Sequence, residues 1–406
     1  MRRRLEGSTN MAALARLYMM VYCTSPSRHR KGYTAQLAQG GPQFLFRPVR
    51  NFQYHVVLQP QRLQDNSNFR YGGFVIHPKY PHLLVSILED HTKPAPADVV
   101  NKLVCVNTNT SEVTTLVEGA DFYTFPSISP DGDRLAFVQW HHPNMPWEAS
   151  ELHVVDIIAS DAGILLNGEV KMVAGNGEEG VSQPLWTTND ILVFLSDRVG
   201  GFLKPWKFNV RDGSLHPVLS TLLDSDFSEP DWKLGNYRIA ALSPKSLLVA
   251  PIVNSKCQLG IIDIELGSLL PIDSPYVNVS RLIRVSETEA AFVGVQDAVT
   301  ATLVSMKLQV GGKATFTPLK ATSDHSSLFP AKLIAPNTSI ALPNPDAASP
   351  LHVLLALPRN PNYDPEGKGD GEKPPCVVLV HGGPTHRVPP GLEWMTQFFT
   401  SRGWAL

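Results

Sequence analysis

The residues with the clearest chemical use stand near the carboxyl end. An uninterrupted apolar run, 375–380, is followed by His381-Gly382-Gly383-Pro384 and then by Leu392, Met395, Phe398 and Phe399 at helical spacing. A strand that turns into a helix through a glycine pair leaves the backbone N–H groups of Gly382 and Gly383 uncovered. They are then free to face an oxygen that gains negative charge when a carbonyl is attacked, and a side chain there would fill the space the carbonyl needs. Losing one such donor costs roughly 3 kcal/mol of transition-state stabilisation. The plainer alternative is a tight strand-to-helix turn. The apolar strand, Pro384 and the helical pattern, all in register, favour the chemical reading.

Such chemistry also needs a nucleophile. Ser129, Asp131, His141 and His142 are of the right types, but Ser129-Pro130-Asp131-Gly132 reads as a hairpin turn. Pro130 presets φ, Asp131 can bond back to nearby backbone, and Gly132 supplies a positive φ without steric cost. The histidines fall in the next loop, and nothing poses the serine beside a base. No Gly-x-Ser-x-Gly occurs in the 406 residues, so no catalytic residue of a triad is assigned. His141 and His142 lack further ligands at metal spacing and read as loop residues, one of them packed on Trp147. The polar loop holding Asp364 and Asp370 has no calcium-loop pattern, and no phosphate-binding glycine loop occurs. No metal and no cofactor are expected.

Composition bounds the partners. Lys plus Arg number 35 against 37 Asp plus Glu, a formal net charge of -2, which supplies no sustained positive field for nucleic acid or an anionic membrane. No apolar window reaches the length of a spanning helix. The chain is therefore expected to be soluble. Cys23, Cys105, Cys257 and Cys376 stand far apart, outside any disulfide or redox spacing, which fits a reducing, cytoplasmic setting. Residues 1–32 hold seven basic residues and one acid, Glu6, around an apolar run broken by Arg16. That pattern leaves two readings open, an organelle transit sequence or an amino terminus without a fixed fold. Sequons at Asn109, Asn278 and Asn337 read as incidental.

The elements that must position the glycine pair come next. With 34 prolines and 29 glycines, both costly inside helices, the chain favours strands and loops. From residue 69 onward short runs rich in Val, Ile, Leu and Phe alternate with turn residues; 83–88, 103–107, 134–140, 151–157, 191–196 and 246–253 are the clearest. They group with a period near fifty residues, the scale of a four-stranded propeller blade. Aligning Phe125-Pro126, Gln183-Pro184-Leu185-Trp186 and Glu229-Pro230-Asp231-Trp232 as inner strands gives five blades, at about 70–119, 120–178, 179–225, 226–275 and 276–328. Beyond them a proline-marked crossing leads to a strand at 351–357. The run at 375–380 then reads as a buried parallel strand, the helix at 392–402 follows, and Gly403-Trp404-Ala405-Leu406 opens another strand.

In its strand, His-Gly-Gly-Pro and helix, the chain fits the oxyanion loop of α/β-hydrolases. From about residue 70 to 406 it resembles the prolyl oligopeptidase family of serine peptidases, in particular the acylaminoacyl-peptidase and dipeptidyl aminopeptidase-like branch. The residues carrying the resemblance are Asp121-Phe122-Tyr123 with Ser129-Pro130-Asp131-Gly132, the string His141-His142-Pro143-Asn144-Met145-Pro146-Trp147, Leu195-Ser196-Asp197-Arg198, and His381-Gly382-Gly383-Pro384-Thr385 with Thr400-Ser401-Arg402-Gly403. The resemblance implies a β-propeller, seven-bladed in most of the family, ahead of an α/β-hydrolase domain that cleaves short peptides or acyl-peptides.

The expected architecture is mainly β. An atypical or disordered segment (1–69) precedes a β-propeller (70–328), a linker with the first hydrolase strand (329–374) and the start of a truncated α/β-hydrolase domain (375–406). The family's Ser, Asp and His lie far downstream of its oxyanion loop, so this chain is expected to be a partial, inactive peptidase. The rival is a non-catalytic propeller that binds peptides or proteins. His142, Asn144 and Trp147 are the candidate residues of a domain-interface or substrate-cleft loop. Substrate residue and oligomeric state stay open.

Overall fold

A computed structural model describes residues 44–49 and 53–58 in backbone only, and residues 68–93, 95–309, 311–321, 329–345, 350–362, 373–382 and 385–406 in full. The amino-terminal segment 1–32, Asp364, Asp370, Gly383 and Pro384 lie outside the described residues.

Five four-stranded antiparallel sheets follow one another along the chain, each a meander. Their first strands are Phe69–Ile76, Phe122–Ile128, Val181–Trp186, Ile239–Ser243 and Asn278–Arg284, and their last are Glu112–Glu118, Gly163–Ala174, Leu215–Pro217, Ser268–Pro271 and Ala314–Ala321. The first strands of successive sheets pack on one another. This is a five-blade propeller arrangement with the period read from the sequence.

Residue choice explains both the strands and their stacking. The second strand of the third blade, Ile191–Ser196, reads Ile-Leu-Val-Phe-Leu-Ser and is buried on both faces after its first residue. The last strand of the fifth blade alternates half-buried and exposed positions at its start, as a solvent-side edge should. Between blades one and two, Leu83, Val85 and Leu103 meet Leu135, Phe137 and Val155. Between two and three, Val138 and Leu152 meet Trp186 and Phe194. Leu195 packs with Leu247 and Ile262 between three and four, and Leu248 with Leu282 and Phe292 between four and five. Each fully buried side chain of this kind contributes about 1.5–3 kcal/mol of burial free energy.

Each first strand carries a register irregularity in the same place. Gly73, Phe125, Gln183 and Arg281 all have φ between 51° and 64°, inside the shifts after Gly72, Thr124, Ser182 and Ser280. In the fourth blade the shift falls after Ala241. A bulge of this kind bends the strand and re-aims one side chain. For three non-glycine residues the left-handed backbone is costly, so surrounding structure must hold it.

Three expectations change. The string Glu229-Pro230-Asp231-Trp232 is not a blade strand; the fourth sheet begins at Ile239. Its side chains are drawn into polar contacts across the propeller face, described below, which a strand position would forbid. The apolar run at 375–380 keeps its parallel partner, through the Cys376–Ala405 bridge, but it is neither a regular strand nor buried. Val378 and Val380 are 79% and 87% exposed because no described element covers them. The helix is Trp394–Thr400, and it buries Thr396, Gln397 and Thr400 while Met395 and Phe398 face outward. The reason is polar: the Gln397 amide pairs with both backbone groups of Ala335 at 2.7 and 3.2 Å. A hairpin, Thr338–Leu342 with Leu351–Leu355, occupies part of the proline-marked crossing. Beyond it, Leu406 pairs with Ala356 in both directions at 2.8 and 2.9 Å.

Candidate functional site

The loop after the second strand of blade two is built by a polar frame. Glu179 is buried, and its carboxylate accepts from Nε and Nη2 of Arg198 at 3.0 Å each, from Gly175 N–H at 3.1 Å and from Ser196 Oγ. Its carbonyl accepts from Ser150 N–H, while Asp197 accepts from Gly180 N–H at 2.8 Å. Burial and the neighbouring Glu179 charge push the Asp197 carboxyl above its ordinary value. Ser150 Oγ in turn donates to Pro146 O at 2.8 Å. Two motifs fifty residues apart, 141–147 and 195–198, are thereby joined, and Trp147 is fixed at the end of the frame. A Cβ on Gly180 would lie 3.1 Å from Trp147 O, so the close approach favours glycine.

Trp147 is half-buried, and its ring centroid lies 4.2 Å from that of Trp232. Asn144 is half-buried in the same loop, with its N–H donating to His141 O. The expectation that one of the histidines packs on Trp147 is not met. His142 instead stands edge-on to Phe122 at 4.9 Å, and its N–H donates to Asp121 Oδ2.

The strand bulge of blade three supplies a second frame. With φ of 52°, Gln183 turns its amide inward, where Oε1 accepts from Arg238 N–H at 2.8 Å and Nε2 donates to Ser228 Oγ. Arg238 is fully buried; it pairs with Glu229 at 2.8 Å and donates to Cys257 Sγ and to Asn278 Oδ1. That last bond places the Asn278 sequon inside the fold. Burial works to raise the Glu229 carboxyl, but Arg238 and Arg387 outweigh it and hold the pKa below the ordinary value. Asp231 has no such cation. Its Oδ2 accepts from Ser182 Oγ at 2.6 Å, its Oδ1 is buried with no donor, and burial pushes its pKa up to about 7.

The glycine-pair segment meets this face. His381 and Gly382 are exposed, and a Cβ on Gly382 would touch nothing within 4 Å. Gly383 lies outside the described residues. From Thr385 the chain is tied to the propeller. Thr385 O accepts from Trp232 Nε1–H at 2.7 Å, and Arg387 pairs with Glu229 at 2.5 Å while donating to Ser255 O and Asn278 Oδ1. Gly391 has φ of 126° and packs where a Cβ would fall 2.4 Å from Val295, so only glycine fits. Trp147, Trp232 and the segment from Thr385 thus lie together. His142 and Asn144 are in the loop but outside these contacts.

Sequence reasoning missed Glu229, Trp232, Arg238 and Arg387. One signal was available: Gln-Pro-Leu-Trp in blade three becomes Glu-Pro-Asp-Trp in the next repeat, two acids where an ordinary blade strand needs none. Among the described residues no cluster of His, Cys, Asp and Glu is arranged to hold a metal, and no helix is long and apolar enough to cross a membrane.

No protein-family model and no curated protein sequence matches the chain. Solved structures do. A puromycin-hydrolyzing peptidase of Mycobacterium tuberculosis is 26% identical over 84% of this chain and 50% of its own, with a TM-score of 0.72. A puromycin hydrolase carrying a serine-to-alanine replacement, complexed with PGG, is 26% identical over 83% of this chain and 50% of its own, also with a TM-score of 0.72. A prolyl endopeptidase, 9% identical over 90% of this chain and 57% of its own with a TM-score of 0.52, shares the fold. The chain spans about half the length of these structures. In its five-blade arrangement, and over about half of their length, the chain is similar to these peptidases of the prolyl oligopeptidase family.

Proposed function

We propose that the chain is the propeller and oxyanion-bearing part of a serine-type peptidase acting on short peptides or acyl-peptides. The observation that carries this reading is the exposed Gly382, where a Cβ would touch nothing, close in sequence to Thr385 and Arg387, which are tied to the propeller face that holds Trp147 and Trp232. In this reading residues 375–406 begin an α/β-hydrolase domain. The N–H groups at Gly382 and Gly383 stabilise the oxyanion that forms when a serine attacks the substrate carbonyl. Trp147 and Trp232 offer apolar surface at the cleft between the two parts, and the propeller limits entry to short chains.

No Gly-x-Ser-x-Gly lies within the 406 residues, so the reading places the nucleophile and its base beyond Leu406 and expects no turnover from the chain alone. The experiment compares hydrolysis of acetyl-alanyl and alanyl chromogenic substrates by the 406-residue chain and by a protein extended through the coding sequence after Leu406. Turnover by the extended protein alone supports the reading. A stop codon directly after Leu406, with peptide bound but never cleaved, favours the binding-module alternative.

A further inference from the structure

We infer that the propeller itself sets the position of the oxyanion segment, with Glu229 and Trp232 as positioning residues acting through Arg387 and Thr385. The inference rests on the reading of the glycine pair given above, and it adds what holds the chain that follows it, from Thr385 on.

Charge accounting shows what Arg387 contributes. Arg238 alone neutralises Glu229: it is fully buried, bonded to the carboxylate at 2.8 Å, and locked through its own backbone N–H by Gln183. Glu229 already has its partner in Arg238, and the second guanidinium also faces the Asp226 carboxylate, so pairing Glu229 does not by itself account for Arg387. Among the described residues, the side-chain bonds of Arg387 go to Glu229, Ser255, Asn278 and Cys257, all in the propeller and none in its own segment. A guanidinium fork held by several acceptors fixes orientation as well as distance, which a point charge does not.

The anchor is itself rigid. Glu229 sits between Arg238 and Arg387, and Arg238 hangs on the strained bulge at Gln183 in the third blade. Trp232, three residues on, braces against Trp147 and donates to Thr385 O, three residues after Gly382. Two independent ties, one ionic and one to backbone, therefore hold positions 385 and 387 on either side of His386. The string at 229–232 departs from the blade pattern because it serves this contact.

Hydrogen exchange of amides 385–392 in the 406-residue chain tests the inference, comparing the parent with Arg387→Met, Arg387→Lys and Trp232→Phe. Arg387 and Trp232 are partly exposed, so none of these changes opens the core. The Met variant should exchange about tenfold faster over 385–392, and Trp232→Phe about threefold faster, with the amides of blades one and two unchanged. The Lys variant should fall between parent and Met, because it keeps the charge and loses the fork. Exchange over 385–392 within twofold of the parent in both Met and Phe variants would overturn the inference, as would identical behaviour of Lys and Met. The readout needs no catalysis, so it can fail while the oxyanion reading stands, and the reverse.

Discussion

The indole N–H of Trp232 donates to the carbonyl oxygen of Thr385 at 2.7 Å, across 153 positions of sequence. One partner lies between the third and fourth blades; the other follows the glycine pair. The bond ties the propeller to the segment that, in the proposed function, carries the oxyanion glycines. Beside it the Glu229–Arg387 ion pair makes the same connection with charge.

The turn between the first two strands of blade two should tolerate nothing but glycine at its fourth position, Gly132. Gly132 has φ of 76°, and a Cβ there would lie 2.6 Å from His77 Cε1. His77 Nε2 bonds Gly132 O at 2.9 Å, while Nδ1 accepts from Tyr80 N–H, so the ring cannot swing aside freely. Gly132→Ala should cost about 1–3 kcal/mol. Urea unfolding with an unchanged slope and a lower midpoint is the expected outcome; an unchanged midpoint would show that the ring gives way.

Asp231 should make stability fall with rising pH. Its folded pKa, raised to about 7, lies above the unfolded value, so between roughly pH 4 and 7 the folded state binds more protons. Its contribution is therefore present at low pH and lost as pH rises through about 7. Asp231→Asn keeps an acceptor for Ser182 and removes the titration. Its midpoint relative to the parent should improve from pH 5 to pH 8, by the equivalent of about 2 kcal/mol. A difference that stays constant with pH would contradict the assignment.

Exposed Val378 and Val380 should drive self-association of the 406-residue chain. Val378→Thr with Val380→Thr removes apolar surface without touching a described contact. Light scattering at a fixed temperature should show severalfold slower growth, while the thermal midpoint stays put. Unaltered growth would place the sticky surface elsewhere, with Met395 and Phe398, both about half exposed, the next to change.

Much of this fold was legible in advance because blades repeat. Runs such as 134–140 and 191–196 carry β-branched and aromatic residues between turn signals, and stacking buries them whatever lies outside. The turn at Ser129–Gly132 was legible for a similar reason, since its chemistry is local: Gly132 N–H donates to Ser129 O, and Asp133 N–H to Asp131 Oδ1. What could not be read depends on distant partners. Glu229-Pro230-Asp231-Trp232 looks like a blade strand until Ser182, Arg238, Arg387 and Thr385 are brought beside it. Gln397 interrupts an apolar helical pattern, and only the bare backbone of Ala335 explains why that side turns inward. The left-handed Gln183 leaves no mark on its sequence, yet it holds the arginine on which the cluster is built.

In the proposed function these 406 residues supply the oxyanion segment and its propeller support but not the nucleophile. The most direct measurement is intact mass after treatment with a serine-directed fluorophosphonate, run on the 406-residue chain and on the protein extended through the coding sequence after Leu406. One covalent adduct per extended chain and none on the 406-residue chain is the predicted result. A stoichiometric adduct on the 406-residue chain, mapped to Ser129 or any other serine within it, would contradict the account.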